Sequence, residues 1–438
     1  MNASKPMCIV HWEDPKGTGA KAWLVIDRLI NGVSGGGVFM HPQATLHEVQ
    51  DLAHTMSFKN TLTQPQLGGA KAGICFDARD PQAQGVLERF LYDQKEYIED
   101  YWYTGADLNT DNHTILKIVK EKLQLPSSFI SLAKALKRTL HITPHIENIN
   151  QLIAEPANEF FQIYGCATGF SVAECVHFFA PRHPRIAIQG FGAVGSSMAY
   201  YMQKYNRGDI VAICDHTGWI SHKKTIDVAE ILREKENKNL RGSSSLEDIL
   251  SSELKEKYQY QARKDQDNDA YLCQFLQGIQ ADVFTPCANR YVLSQSVLEV
   301  LANFTFSQLS KTQERPLIVS GANNAFPDQK SFDHMKKLNF NMPPEWVSNC
   351  GNAVLFVEAV KTSLKGKKWA EAAFKAIRHA IIDTIYLAQK QMKENPQHIY
   401  DAILAIAEQK INQQSELSSY KHFQLQPKLQ FNFLQSDI

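Results

Sequence analysis

An excess of charge of one sign is missing from this 438-residue sequence: 46 Lys and Arg stand against 46 Asp and Glu, dispersed along the chain. A nucleic-acid groove or an anionic membrane needs a concentrated positive field, so neither is an expected partner. Long apolar runs are missing too. None approaches the ~20 residues that cross a bilayer, and the first 15 residues turn polar too soon for a secretory signal. The eight cysteines are scattered without a CxxC pair, which speaks against a disulfide framework and a zinc site, so no metal is expected. Several sit in apolar runs such as Val211-Ala212-Ile213-Cys214, as small buried hydrophobes of a reducing compartment do. The expectation is a cytoplasmic protein, too long for one core and therefore of two domains.

What is present begins with two lysines in apolar settings. Leu46, Val49, Leu52, Ala53 and Met56 recur at helical spacing. Three residues further along the same stripe stands Lys59. Gly68-Gly69 then breaks the chain, and residues 70–76 read as a strand that puts Lys71, Gly73 and Cys75 on one face. Lys71 stands over small residues there, with room beside it for a ligand. Upstream, residues 20–30 read as a strand followed by Gly35-Gly36-Gly37, where the backbone can approach a small ligand closely. Gly36 and Gly37 are candidate substrate contacts. A helix from Pro81 leads to the turn 103–111, which holds Asp107; Thr110 or Asp111 can cap the next helix. Residues 127–158 read as loop-rich with one short helix near 129–140.

From Tyr164 the pattern changes. The strand Arg185–Gln189 runs into Gly190-Phe191-Gly192-Ala193-Val194-Gly195, a helix follows, and a second strand ends at Asp215. This is the βαβ dinucleotide fingerprint. The glycines let the backbone approach a pyrophosphate, and the helix N-terminus offers N–H donors. Asp215 can accept from ribose hydroxyls and would repel a 2′-phosphate, which favours NAD. NADP stays open through His216, Lys223 and Lys224. Residues 227–270 read as solvated helices without chemistry, interrupted at 241–245. Two strand-to-loop steps, 282–289 and 317–324, end in small and amide residues, where an open sheet presents its ligand. Cys287, Ala288 and Asn323 are cofactor candidates there, and Asn324 a substrate candidate.

Together these residues resemble the Glu/Leu/Phe/Val amino-acid dehydrogenase superfamily. The motifs that carry the likeness are SerPheLysAsnThrLeuThr with GlyGlyAlaLysAlaGly, ThrGlyAlaAspLeuAsnThr, AlaThrGly, GlyPheGlyAlaValGly, ProCysAlaAsn, GlyAlaAsnAsn and SerAsnCysGly. The opening from His11 is similar to the leucine and phenylalanine dehydrogenase branch. The resemblance implies that Lys59 binds the α-carboxylate, that Lys71 and Asp107 are catalytic, and that Thr168 holds the nicotinamide amide. It implies an α/β protein with a mixed-sheet substrate and oligomerisation domain at 1–160, to which helices in 351–438 return. A doubly wound Rossmann NAD domain would span 161–350, and the protein would form a homo-oligomer. In the glutamate enzymes a lysine precedes the GlyGly pair and a later serine assists it; here these are Gly35 and Phe356. Those changes imply an apolar side-chain pocket, and so deamination of a branched-chain or aromatic amino acid to a 2-oxo acid and ammonium. Phe39 and Asn352 replace an arginine and a glycine of the family, which leaves open an NAD-binding homologue without turnover. A glutamate-type enzyme and a 2-hydroxy-acid dehydrogenase also stay open.

Overall fold

A computed structural model describes residues 5–147, 149–180, 183–240, 244–264, 267–307 and 315–420, with side chains as far as Gln413. The described residues fall into two compact units. The first lies within Met1–Ile153, Phe356–Lys365 and Ala405–Ile438, the second within Ala154–Leu355 and Gly366–Leu404.

The first unit is built on one mixed sheet of β1 (Cys8–Glu13), β2 (Lys21–Ile26), β3 (Ser34–Gly35), β4 (Val38–Met40), β5 (Gly68–Cys75) and β6 (Trp102–Tyr103). The order is β1-β2-β5-β3-β6, with β4 also on β5. β1, β2 and β5 are antiparallel neighbours, whereas β3 and β4 run parallel to β5. Alternation divides the side chains between two faces. Val38, Met40, Ala70, Ala72, Ile74 and Trp102 enter the larger core with Val86, Phe90 and Ile115. The opposite face carries Val25 and Phe39 and is covered by the helix Leu46–Lys59 through Val49, Leu52 and Ala53. Thr45 starts that helix, its side chain accepting from the Glu48 N–H. Each large aliphatic side chain buried there stabilises the packing by about 1.5–3 kcal/mol.

The second unit holds β7 (Arg185–Gln189), β8 (Asp209–Cys214), β9 (Gly218–Ser221), β10 (Gln261–Ala262), β11 (Val283–Pro286) and β12 (Leu317–Ile318), in the order β10-β9-β8-β7-β11-β12. The four strands β8, β7, β11 and β12 are parallel, while β9 and β10 are an antiparallel edge that the sequence pattern does not announce. The cause is local. Asp215 Oδ1 accepts from both the N–H and the hydroxyl of Thr217, an Asx turn that folds the chain back after β8.

Residues 127–158 form two helices, Ile130–Leu140 and Ile149–Ala154, rather than one. The expected return of the C-terminal helices to the first unit needs correction. The helix Gly366–Glu394 belongs to the second unit. Phe374 packs on Phe170 at 4.6 Å, and Arg378 donates to the buried Glu174 carboxylate at 2.8 Å, where Arg207 also donates at 2.7 Å. Only 356–365 and the described residues from Ala405 join the first. Residues 241–243 and the tail 421–438 lie outside the described residues. Among the described residues no helix is long and apolar enough to cross a membrane.

Candidate active site

Lys71 projects from β5 on the face covered by the helix Leu46–Lys59, and it is 3% exposed. Its ammonium pairs with the Asp107 carboxylate. Asp107 stands in the turn after β6, and that turn is stapled on several sides. The Asp107 N–H donates to Thr110 Oγ1 (3.0 Å), Thr110 Oγ1 donates to the Val38 carbonyl (2.7 Å), and the Ala106 N–H donates to Asn112 Oδ1 (2.7 Å). Asp111, not Thr110, caps the following helix. Burial pushes the Asp107 carboxyl up, but Lys71's charge and hydrogen bond, the Leu108 N–H and the charge of Lys59 outweigh it, so its pKa is lowered. Lys59 closes the helix and is 7% exposed. Its charge is felt at Asp107, which links the three expected side chains electrostatically. The next residue, Asn60, donates to the carbonyls of Gly68 (2.6 Å) and Gly35 (3.3 Å), which ties the helix end to the strands.

The glycines of this site divide. A Cβ on Gly36 would run into the Ala70 carbonyl. Its own carbonyl accepts from Trp102 Nε1 at 2.9 Å and its N–H donates to Tyr103 at 3.3 Å. Gly36 is therefore accounted for by close strand packing. Gly37 borders the acid: a Cβ there would lie 3.2 Å from the Asp107 Cβ. Phe39 is a core residue at 1% exposure, packed with Val49, so its presence has a reason in packing.

The second unit carries a cavity of about 590 Å³ at the ends of its parallel strands, lined by Gly190, Gly192, Ala193, Val194, Asp215, Cys287 and Ala288 among others. Gly190 has φ +98°, a conformation that a side chain would strain. Gly192 precedes the helix Ala193–Lys204 with open space around it and no side-chain cap, which leaves the helix N–H groups to a ligand. Gly195 does not line the cavity; it packs against the Gly190 carbonyl from behind. Burial pushes the Cys287 thiol up to about 12, so it acts as a hydrophobe. These residues fit a dinucleotide.

Asp215 is more engaged than expected. Beside its bonds to Thr217, its Oδ2 accepts from the Leu246 N–H at 2.5 Å, which leaves room for about one further donor. His216 lines the cavity with it; Lys223 and Lys224 are exposed and do not. The stretch 227–270 is not without a part in the site, because Ser244, Arg263, Asn268 and Asp269 also line the cavity. Nothing in the local pattern marks Arg263, which follows the two-residue strand β10. Arg290 could have been found from its place just after ProCysAlaAsn.

Thr168, Asn323 and Asn324 stand outside that lining. Thr168 is in the helix Ile163–Phe179, where its carbonyl accepts from Ser171 Oγ at 2.7 Å. Asn323 accepts from Asn349 Nδ2 at 2.8 Å, and Asn324, at φ +49°, accepts from the Tyr291 N–H through its carbonyl. Among the described residues no group of three or more His, Cys, Asp or Glu side chains is placed to hold a metal.

A parallel sheet ending in a glycine turn at a bare helix N-terminus defines the dinucleotide-binding class. Comparison with known proteins makes this narrower. The model for glutamate/leucine/phenylalanine/valine dehydrogenase matches residues 144–418, and that for the dimerisation domain of the same enzymes matches 5–123. The chain belongs to this family and is an amino-acid dehydrogenase. It is similar to the NAD-specific glutamate dehydrogenase of Peptoniphilus asaccharolyticus, at 24% identity over 80% of this chain and 75% of that one. To the NADP-specific glutamate dehydrogenase of Synechocystis sp. it is 27% identical over 46% of this chain and 45% of that one, about half that relative's length. Among solved structures, the hetero-hexameric glutamate dehydrogenase from Thermus thermophilus in its Leu bound form gives a TM-score of 0.66 at 17% identity, covering 94% of this chain and 90% of that one. L-tryptophan dehydrogenase from Nostoc punctiforme gives 0.54 at 16% identity, with 93% and 96% covered. These two show the fold.

Proposed function

We propose that this chain catalyses the reversible, NAD-dependent oxidative deamination of an apolar L-amino acid, branched-chain or aromatic, to the 2-oxo acid and ammonium. The observation that carries this is the pairing of the buried Lys71 with the half-buried Asp107, whose carboxylate also feels the charge of Lys59. Lys59 anchors the substrate α-carboxylate, a role that needs a cation out of water. Asp107, held as a carboxylate, takes a proton from the substrate ammonium. Lys71 orients the water that attacks the imine carbon and neutralises Asp107 between steps. When bound, NAD supplies the acceptor for the hydride that leaves Cα. Gly190, Gly192, Ala193 and Val194 would hold its pyrophosphate, with Gly195 packed behind them, and Asp215 its ribose. Cys287, Ala288, Asn323 and Thr168 would serve the nicotinamide end. Gly37 and Asn324 would border the substrate.

The preference for an apolar side chain is supported by Gly35 and Phe356. Position 35 has no side chain, and the Phe356 ring stands 5.1 Å from Phe129 in the same unit. Glutamate is the second reading, favoured by the glutamate dehydrogenases among the relatives. NAD over NADP is supported by the Asp215 charge in the cavity. A homo-oligomer is supported by the match of residues 5–123 to a dimerisation domain. A reducing, cytoplasmic setting is supported by the eight free thiols.

The test is Lys71→Ala. Turnover should fall by at least about 10²-fold, while the quenching of protein fluorescence by NADH persists. A variant that turns over as the wild type does would remove Lys71 from the mechanism.

A further inference from the structure

The sheet register shows how the site continues beyond its acid and its lysines. Gly35 pairs with Gly69 on one side and with Tyr103 on the other, and Val38 pairs with Ala72 and with Ala106. Side chains alternate between faces along each strand. Gly35 and Gly37 therefore share a face with Gly69 and Lys71, and with Tyr103, Gly105 and Asp107. Gly37 and Gly105 add no side chain to this floor, whereas over Gly35 the Tyr103 ring, and over Gly69 the helix Leu46–Lys59, take the space. The side chains that stand on it are Lys71, Asp107 and Tyr103.

Tyr103 leans along this floor, over Gly35. A Cβ on Gly35 would fall inside the phenol ring, so the ring takes the space that a side chain at position 35 would need. The ring faces Phe129 at 6.1 Å, and Phe129 in turn faces Phe356. Phe356 reaches back to the floor, 3.7 Å from where a Cβ on Gly105 would lie. The floor thus has an aromatic wall. Tyr103 and Gly105 are two residues apart, about 6.6 Å at strand rise, which is the reach of an amino-acid side chain.

One polar atom in this wall is unexplained. Tyr103 is 4% exposed, and its hydroxyl is buried without a hydrogen-bond partner among the described residues. Leaving such a group unsatisfied costs about 1–3 kcal/mol. Phenylalanine would fill the same volume without that cost. Burial also raises the phenol's pKa, so the group is neutral and both donates and accepts.

We propose that Tyr103 is a specificity-determining residue of the substrate side-chain pocket, its hydroxyl pairing with a neutral polar atom at the far end of an aromatic side chain, an indole N–H or a phenol O–H. This rests on the reading of the enzyme as a dehydrogenase of apolar amino acids. It deepens that reading by separating tryptophan and tyrosine from phenylalanine and leucine. A charged side chain is disfavoured, because the floor beside the hydroxyl carries glycine, not a cation, at position 35.

The test compares kcat/KM for tryptophan and for phenylalanine in the wild type and in Tyr103→Phe. The expected result is a fall of about tenfold in the tryptophan-to-phenylalanine ratio, the scale of one hydrogen bond lost from a desolvated pair. A merely structural hydroxyl would shift stability and leave the ratio where it was; an unchanged ratio overturns the role of Tyr103 alone. A wild type that turns over neither amino acid overturns the role of Tyr103, and the apolar reading falls with it only if leucine and valine are not turned over either. Gly35→Ala gives an independent arm, since its methyl group displaces an unaltered Tyr103 and should move the ratio in the same direction.

Discussion

Lys71 pairs with the Asp107 carboxylate while Lys59 acts on it through its charge, and their loss should be felt differently. In the proposed mechanism Lys59 holds a group that keeps its charge throughout the reaction, so Lys59→Ala should act largely on KM for the amino acid. Lys71 meets the acid itself. In Lys71→Ala, burial acts on Asp107 with less opposition, and the carboxyl pKa must move up. The group then protonates earlier as pH falls, so the acid limb of the residual kcat/KM should shift to higher pH than in the wild type. An acid limb that stays in place would mean that Asp107 is not the group that titrates. Both lysines were readable from the sequence because helical and strand periods placed each of them against apolar neighbours. Tyr103 was not readable. Its meaning depends on which residue lies across the sheet, and local sequence does not encode that Gly35 is its partner. The packing of Phe39 was not readable for the same reason, as its contact with Val49 depends on a helix laid over the sheet.

At the scale of elements, the first unit is held by a pair far from the chemistry. Asp14 carries no exposed side chain and accepts from Arg89 Nε and Nη2, both at 2.6 Å, with Thr18 and the Lys16 N–H also donating. The Arg89 hydrogen bonds, against the cost of burial, hold its carboxyl well below the usual range. A depressed folded-state pKa contributes stability above the unfolded value of about 4, and that contribution is lost as pH falls toward the folded one. Arg89→Ala should therefore destabilise by about 3–5 kcal/mol at pH 7, and the gap from the wild type should narrow below about pH 4. Urea unfolding of both proteins at pH 7 and pH 3 measures this. A gap that does not depend on pH would mean that Arg89 acts by packing alone. The strand Arg185–Gln189 and the helix that follows were readable, because a short apolar run ending in glycines has few other solutions. The edge pair β9 and β10 was not, since Asp215 serves both as the end of a strand and as the acceptor of an Asx turn.

For the whole molecule, the family and the two-unit α/β fold were visible in the order of the motifs, while the assignment of the C-terminal helices was not. Helical periodicity shows that 366–394 buries one face, but it does not say against what. Phe170 and Glu174, 204 residues earlier than their partners Phe374 and Arg378, decide that. Cofactor choice also belongs to this scale, because it sums charges from distant segments. Asp215 opposes a 2′-phosphate, whereas Arg263 and His216 in the same cavity would attract one. Asp215→Ser should narrow the preference for NAD over NADP in kcat/KM. Since Asp215 also accepts from Thr217 and Leu246, it should lower stability as well. A wild type that prefers NADP would assign the choice to Arg263 and His216.

Everything proposed for the substrate turns on one difference of sign. A glutamate carboxylate in a pocket without a cation loses several kcal/mol to desolvation, whereas a leucine or an aromatic side chain gains roughly 1.5–3 kcal/mol from burial there. The direct measurement is kcat/KM for leucine, valine, phenylalanine, tryptophan and glutamate side by side, read as NADH formed with NAD present in excess. The expected result is that at least one apolar amino acid exceeds glutamate by 10²-fold or more, about 2.7 kcal/mol. Glutamate emerging as the best of the five would contradict the account.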